Sequence, residues 1–325
     1  VLMLVAMSMF FFINTYEMAI VTLFIGGAGL GSIEFLYLTI LGDAYPDKVT
    51  RLSNFVQAVN GLGCFLGPLV ASALGSAGAL WRQFFVLPAV FMAIALVMMV
   101  FTRVAKVTPE HLPDAHRRPS ALFKSPIFYM VLICMMLYMG MEASAASFAD
   151  TYFVKGLNSE ALSALSLSLF WVMMIPSRML SGIMKRNHTK LVLFLCIGLA
   201  AVFVGIGMTT DATTAVVLMA VAGFLCGPIW PTVFANNQKA FPFASATAGS
   251  FTLAFGGLGG FVFPVIIGAV GEGQPLAVIF YAIAVVAVMG FVANLIARRL
   301  LRRAGIEKDT EGAAAIAEAQ ETETV

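Results

Sequence analysis

Four side chains able to hold a polyhydroxylated solute or carry a proton stand inside otherwise apolar stretches. Glu34 sits in "GGAGLGSIEFLYLTILGDAYP", residues 26–46, flanked by aliphatic and small residues. Gln57 and Asn60 are three apart, which puts both amides on one face of a helix. Glu142 lies in "YMGMEASAASFADTYF", residues 138–153. A carboxyl group offers acceptors to hydroxyls and a seat for a proton, and amides offer donors and acceptors together. Trp230, in "GPIWP", adds a flat apolar ring that can stack on a sugar face. Each residue has a plainer alternative: a neutral carboxyl or an amide that ties membrane helices together, or a Trp that only packs. Glu34, Gln57, Asn60, Glu142 and Trp230 are therefore the candidate substrate-binding or proton-coupling residues, with no catalytic set among them.

The elements that position these groups follow from composition. Of 325 residues, 60% are hydrophobic and 11% charged, where a soluble domain carries roughly a quarter charged residues. Apolar segments long enough to cross a hydrocarbon core of about 30 Å recur along the chain. Ten are read: 1–14, 18–42, 52–74, 82–102, 126–150, 160–184, 190–209, 213–238, 244–270 and 275–297. A buried soluble core is the alternative, but ten such spans leave it no polar face. The expected class is an all-α, multi-pass membrane protein.

Glu34 is 8–10 residues from the end of its span near Gly42 to Ala44, so about 12–15 Å deep at 1.5 Å per residue. An ionisable group at that depth is costly toward lipid and is expected to face the bundle interior. Assigned to alternate sides, the Lys and Arg residues divide 17 to 2, with Arg82 and Lys155 on the minority side. Positive charge collects in cytoplasmic loops, so the Arg103–Lys124 loop, with Pro109, Pro113 and Pro119, and the acidic, Ala-rich tail from Ala304 are expected in the cytoplasm. Trp81 beside Arg82 reads as an interfacial anchor. Asp150 is expected at the outer surface.

Cys64, Cys134, Cys196 and Cys226 stand singly in apolar segments, which suits packing, not disulfides or metal ligation. The histidines, His111, His116 and His188, are all in expected cytoplasmic loops. "GGAGLG" and "GGLGG" lie inside spans with no strand before them, so they suit close helix approach and not nucleotide binding. No cofactor, metal site, enzyme activity or nucleic-acid partner is expected.

At an offset of 196 residues, Gly27, Gly31, Pro46, Gly61, Gly63 and Pro68 fall on Gly223, Gly227, Pro242, Gly257, Gly259 and Pro264. Six coincidences exceed what the Gly and Pro content of the two windows gives by chance, and internal repeats are common in transporters. If the second copy begins near Ser125, the first begins about 70 residues before Val1 (125 − 196). Two further helices of a twelve-helix protein are therefore expected upstream.

Two six-helix repeats joined by a long basic loop resemble the major facilitator superfamily. "GLGSIEFLYLTILGDAYP", "RLSNFVQAVNGLGCFLGPL", "YMGMEASAASFADTYF" and "GFLCGPIWPTVFANNQKAFP" resemble the fourth, fifth, seventh and tenth helices of its fucose permease (sugar/proton symporter) branch. The signature loop between helices two and three is represented only by the loose second-half echo "PSRMLSGIMKRN", with Arg178, Gly182, Lys185 and Arg186.

The resemblance implies two pseudo-symmetric six-helix bundles: residues 1–102, the last four helices of the first bundle; 103–124, a cytoplasmic linker; 125–303, the second bundle; and 304–325, a disordered cytoplasmic tail. It also implies a substrate role for Gln57 and Asn60. The expected function is a secondary active transporter of a small polar solute, a sugar first, working by alternating access, with proton coupling left open. Efflux of drug-like or amphipathic compounds and a non-transporting membrane sensor or scaffold are the alternatives. The expected partners are the small-molecule substrate, protons where coupling exists and the bilayer; the expected state is a monomer in a bacterial inner (plasma) membrane, with its C-terminus cytoplasmic.

Overall fold

The computed structural model describes residues 1–45, 48–76, 78, 80–101, 119–183 and 188–306. Most of the linker, with His111 and His116, the pair Lys185 and Arg186, and the tail from 307 lie outside the described residues. The described chain is helical: α1 (Leu2–Met9), α2 (Tyr16–Ala44), α3 (Val49–Ser76), α4 (Val86–Phe101), α5 (Pro126–Thr151), α6 (Glu160–Ile183), α7 (His188–Met208), α8 (Ala212–Cys226), α9 (Ile229–Ala240), α10 (Ser245–Gly271) and α11 (Ala277–Arg303).

Every expected span coincides with a helical element. Among the described residues, eight helical segments are long and apolar enough to cross a membrane, α8 and α9 counting as one and α4 together with the 3₁₀ turn before it. Leu2–Phe12 is apolar but shorter, and α3 is 28 residues long. This is an integral membrane protein.

The helix ends are set locally. The Thr15 hydroxyl accepts the amide of Met18 to start α2. Asp211 caps α8 by accepting the Thr214 amide at 2.7 Å, and Pro126 opens α5 where no amide donor is needed. Pro228 separates α8 from α9, because a proline supplies no N–H to continue the ladder. Pro231 falls in the first turn of α9, where it is tolerated.

Packing around these helices is uneven. α5 is enclosed by α10, α11 and α9, and its buried face runs from Phe128 to Ala149. α6 lies on α8 so closely that a Cβ on Gly223 would stand 1.9 Å from the Phe170 carbonyl oxygen. α4, by contrast, buries no residue and joins the rest through α1 and the stacked rings of Phe10 and Phe85, 3.9 Å apart. Trp81 is half-exposed, with Arg82 over its ring at 5.4 Å. Arg82 also donates to the Ile13 carbonyl and to Asn14 Oδ1. Cys134, Cys196 and Cys226 are buried and Cys64 is exposed, all of them free thiols.

Helices α2 and α3 meet the later helices along a seam: α3 against α6 and α9, α2 against α10 and α9. On α3 and α6 the register is antiparallel. A Cβ on Gly182 would meet the Arg51 carbonyl at 3.4 Å, Ser181 Oγ donates to Asn54 Oδ1, Arg178 donates to the Gln57 carbonyl, and Gly61 lies on Ile175. On the second line, Gly249 of α10 lies against Phe35 of α2.

Candidate functional site

Glu34 is a partly buried residue of α2, ten positions before its end at Ala44. One turn further along stands Tyr37, whose phenolic oxygen accepts a 2.7 Å hydrogen bond from Gln57 Nε2. Asn60 Nδ2 in turn donates to Gln57 Oε1 at 3.4 Å. The chain Tyr37–Gln57–Asn60 thus ties α2 to α3 in the turns next to Glu34. Gln57 is buried, with both ends of its amide engaged, whereas Asn60 is exposed. Gln57 therefore holds the arrangement, and Asn60 and the Tyr37 hydroxyl hydrogen are the groups free to meet a solute.

Across the seam, Glu142 of α5 is buried and accepts the hydroxyl of Tyr138, four residues earlier on the same face. Arg178 of α6, only 5% exposed, donates through Nη1 to the Gln57 carbonyl at 2.9 Å and through Nε to the Gly227 carbonyl at 3.0 Å, where α8 ends. Its Nη2 reaches the Met174 sulfur at 3.6 Å. Glu34 lies within electrostatic range of both Glu142 and Arg178, and Glu142 within range of Arg178. Two carboxyl groups and one guanidinium from three helices thus share one low-dielectric region, where charge interactions are stronger than in water.

Trp230 is buried in α9, one ring face stacked on Phe234 at 5.3 Å with the planes 5° apart; its position beyond the break at Pro228 is as expected. Asp150 is exposed and accepts the Ser163 hydroxyl at 2.5 Å. Arg178, counted with the loop charges, is a buried residue inside α6, five residues before that helix ends.

Tyr37, Tyr138 and the site position of Arg178 escaped sequence reasoning. The two tyrosines were accessible in principle, since they stand at i+3 and i−4 from the two acids, spacings that share a helix face. Arg178 carried no such signal, because its partners are main-chain carbonyls 49 and 121 residues away in sequence.

Glucose/mannose transporter GlcP of Bacillus subtilis (strain 168) is 24% identical over 211 residues, 60% of this chain and 51% of its own. The chain thus spans about half the length of this curated relative. The crystal structure of FucP, a major facilitator transporter in its outward conformation, superposes with a TM-score of 0.75 at 15% identity, covering 91% of this chain and 80% of FucP. The proton:xylose symporter XylE, bound to 6-bromo-6-deoxy-D-glucose, superposes at 0.69 with 14% identity, covering 90% and 78%. A sequence profile described as Major Facilitator Superfamily matches residues 1–264. The seam between two helix groups, the polar groups gathered beside it and this match over most of the length agree: the chain belongs to the major facilitator superfamily.

Proposed function

We propose that this protein is a secondary active transporter moving a small polar solute, a sugar in our reading, by alternating access in a bacterial plasma membrane. The observation that carries the proposal is Glu34 beside the Tyr37–Gln57–Asn60 chain at mid-helix depth, within electrostatic range of Glu142 and Arg178. A polyol needs donors and acceptors at close spacing. Asn60, the Tyr37 hydroxyl and the Glu34 carboxyl supply both, while Gln57 and Arg178 hold the helices that carry them. Glu34 can also release and regain a proton as solute comes and goes, which would couple transport to a proton gradient. Its likeness to the glucose/mannose transporter GlcP, the fucose:proton symporter FucP and the proton:xylose symporter XylE supports a sugar as the first class to assay. The linker and the C-terminus face the cytoplasm in this proposal, and the protein acts as a monomer.

The test uses the complete protein in proteoliposomes, with glucose, mannose, fucose and xylose as labelled solutes, with and without an imposed proton gradient. Glu34→Gln keeps the size and much of the hydrogen bonding of a protonated acid, so it should fold normally and lose gradient-driven uptake while retaining binding or exchange. Glu34→Leu should lose binding as well. Wild-type uptake with unchanged pH dependence in the Gln variant would reduce Glu34 to a structural tie between helices.

A further inference from the structure

Where α3 begins and α6 ends, at one end of the seam, a groove of about 380 Å³ opens between the two helices. Lys48, Arg51, Leu52 and Phe55 line it from α3 and its approach, Arg178, Met179, Gly182 and Ile183 from α6. Among the described residues, the lining contains Lys48, Arg51 and Arg178 and no acid. The charges are ordered along the helix axis: Lys48 and Arg51 stand exposed at the helix end, and Phe55 follows one turn deeper on α3. On α6, Ile183 follows Gly182 and is level with Arg51, and Met179 stands one turn deeper, so the apolar wall runs from the level of Arg51 inward past Phe55 and Met179. Phe55, Met179 and Ile183 are 57%, 45% and 69% exposed, on helices that lie in the membrane. Arg178 also lines the groove, with its guanidinium bonded to two carbonyls and a thioether, so the charges open to a headgroup are those of Lys48 and Arg51.

From this we infer that the groove is a binding site for an anionic phospholipid, with the headgroup phosphate on Lys48 and Arg51 and the first carbons of an acyl chain against Phe55, Met179 and Ile183. A soluble anion would use the cations but leave the apolar wall unfilled. A zwitterionic lipid would fill the wall, but its own cationic group would oppose Lys48 and Arg51. Basic pockets between membrane helices suit anionic headgroups because phosphate meets cations in a partly desolvated rim. Long basic side chains reach such a rim while their stems stay in the apolar zone. A lipid seated here touches both α3 and α6, so its binding favours the arrangement in which this end of the seam is closed.

The experiment is native mass spectrometry of the full chain titrated with phosphatidylglycerol, phosphatidylcholine or glycerol 1-phosphate. Phosphatidylglycerol should remain bound at activation energies that strip phosphatidylcholine, and glycerol 1-phosphate should neither bind nor displace it. The double variant Lys48→Gln/Arg51→Gln should bind phosphatidylglycerol roughly 30-fold more weakly. Arg299→Gln/Arg303→Gln removes two cations from the far end of α11, away from the groove, and should bind as the wild type does. Met179→Trp keeps every charge but fills the groove, and should lose the lipid too, which separates a lost site from a failure of the charge variant to fold. Equal retention of the two phospholipids, displacement by glycerol 1-phosphate, equal loss in both charge variants or full binding by Met179→Trp would each overturn the proposal.

Discussion

In the second copy of the 196-residue repeat, a Cβ on Gly223 would lie 1.9 Å from the Phe170 carbonyl oxygen, one on Gly227 3.0 Å from that of Met174, and one on Gly259 2.0 Å from that of Met136. The matching positions of the first copy, Gly27, Gly31 and Gly63, meet nothing within 4 Å. Only the remaining pair is reversed: Gly61 lies on Ile175 across the seam, while Gly257 faces open space. In the second copy the backbone that arrives belongs to α6, beside α8, and to α5, beside α10; in the first copy α1 touches α2 at Gly29.

The largest expected effect breaks this contrast directly. Gly223→Ala should destabilise the protein by about 3 kcal/mol or more, since main chain, not a flexible side chain, occupies the added methyl's place. Gly257→Ala should be neutral or stabilising by up to about 1 kcal/mol, because an uncrowded glycine in a helix costs about that much relative to alanine. Thermal unfolding in detergent measures both, and equal losses at the two positions would erase the distinction between crowded and open glycines.

A smaller effect sharpens the contrast between residues that hold the site and residues presented to a solute. Tyr37→Phe removes the acceptor of Gln57 Nε2, and a buried amide donor left without its partner should cost about 1–2 kcal/mol. Asn60→Ala should change the unfolding midpoint little, within about 0.5 kcal/mol, yet reduce uptake in proteoliposomes. A stability loss at Asn60 as large as at Tyr37 would move Asn60 to the structural group.

The smallest effect lies outside the membrane. Asp211 accepts both the amide and the hydroxyl of Thr214 at the start of α8, and these bonds hold its carboxyl below the usual range. A depressed folded-state value means that the stabilisation is complete above the ordinary Asp value of about 3.9 and is lost as pH falls through the lower folded one. Asp211→Ala should lower the unfolding midpoint slightly at neutral pH, and the difference from wild type should vanish in strong acid. A midpoint difference independent of pH would show that the cap does not act through its charge. The first copy has no acid at a matching cap: Thr15 starts α2 with a neutral hydroxyl, so its contribution should be flat over the same range.

What the sequence determined was everything that depends on one helix at a time. Span length, the break at Pro228, the shared face of Gln57 and Asn60 and the depth of Glu34 follow from 1.5 Å per residue, from 3.6 residues per turn and from the expense of polar groups in hydrocarbon. What only the tertiary structure decided was which helices lie together, and hence what the polar groups do. In an apolar solvent the outward faces of many helices are equally acceptable, so hydrophobic pattern does not select neighbours, and small residues allow several. Tyr37 becomes part of the site only because α3 brings Gln57 to its hydroxyl. Arg178 read as a charge at a helix end until the register of α3 on α6, and the end of α8, turned two main-chain carbonyls into its partners.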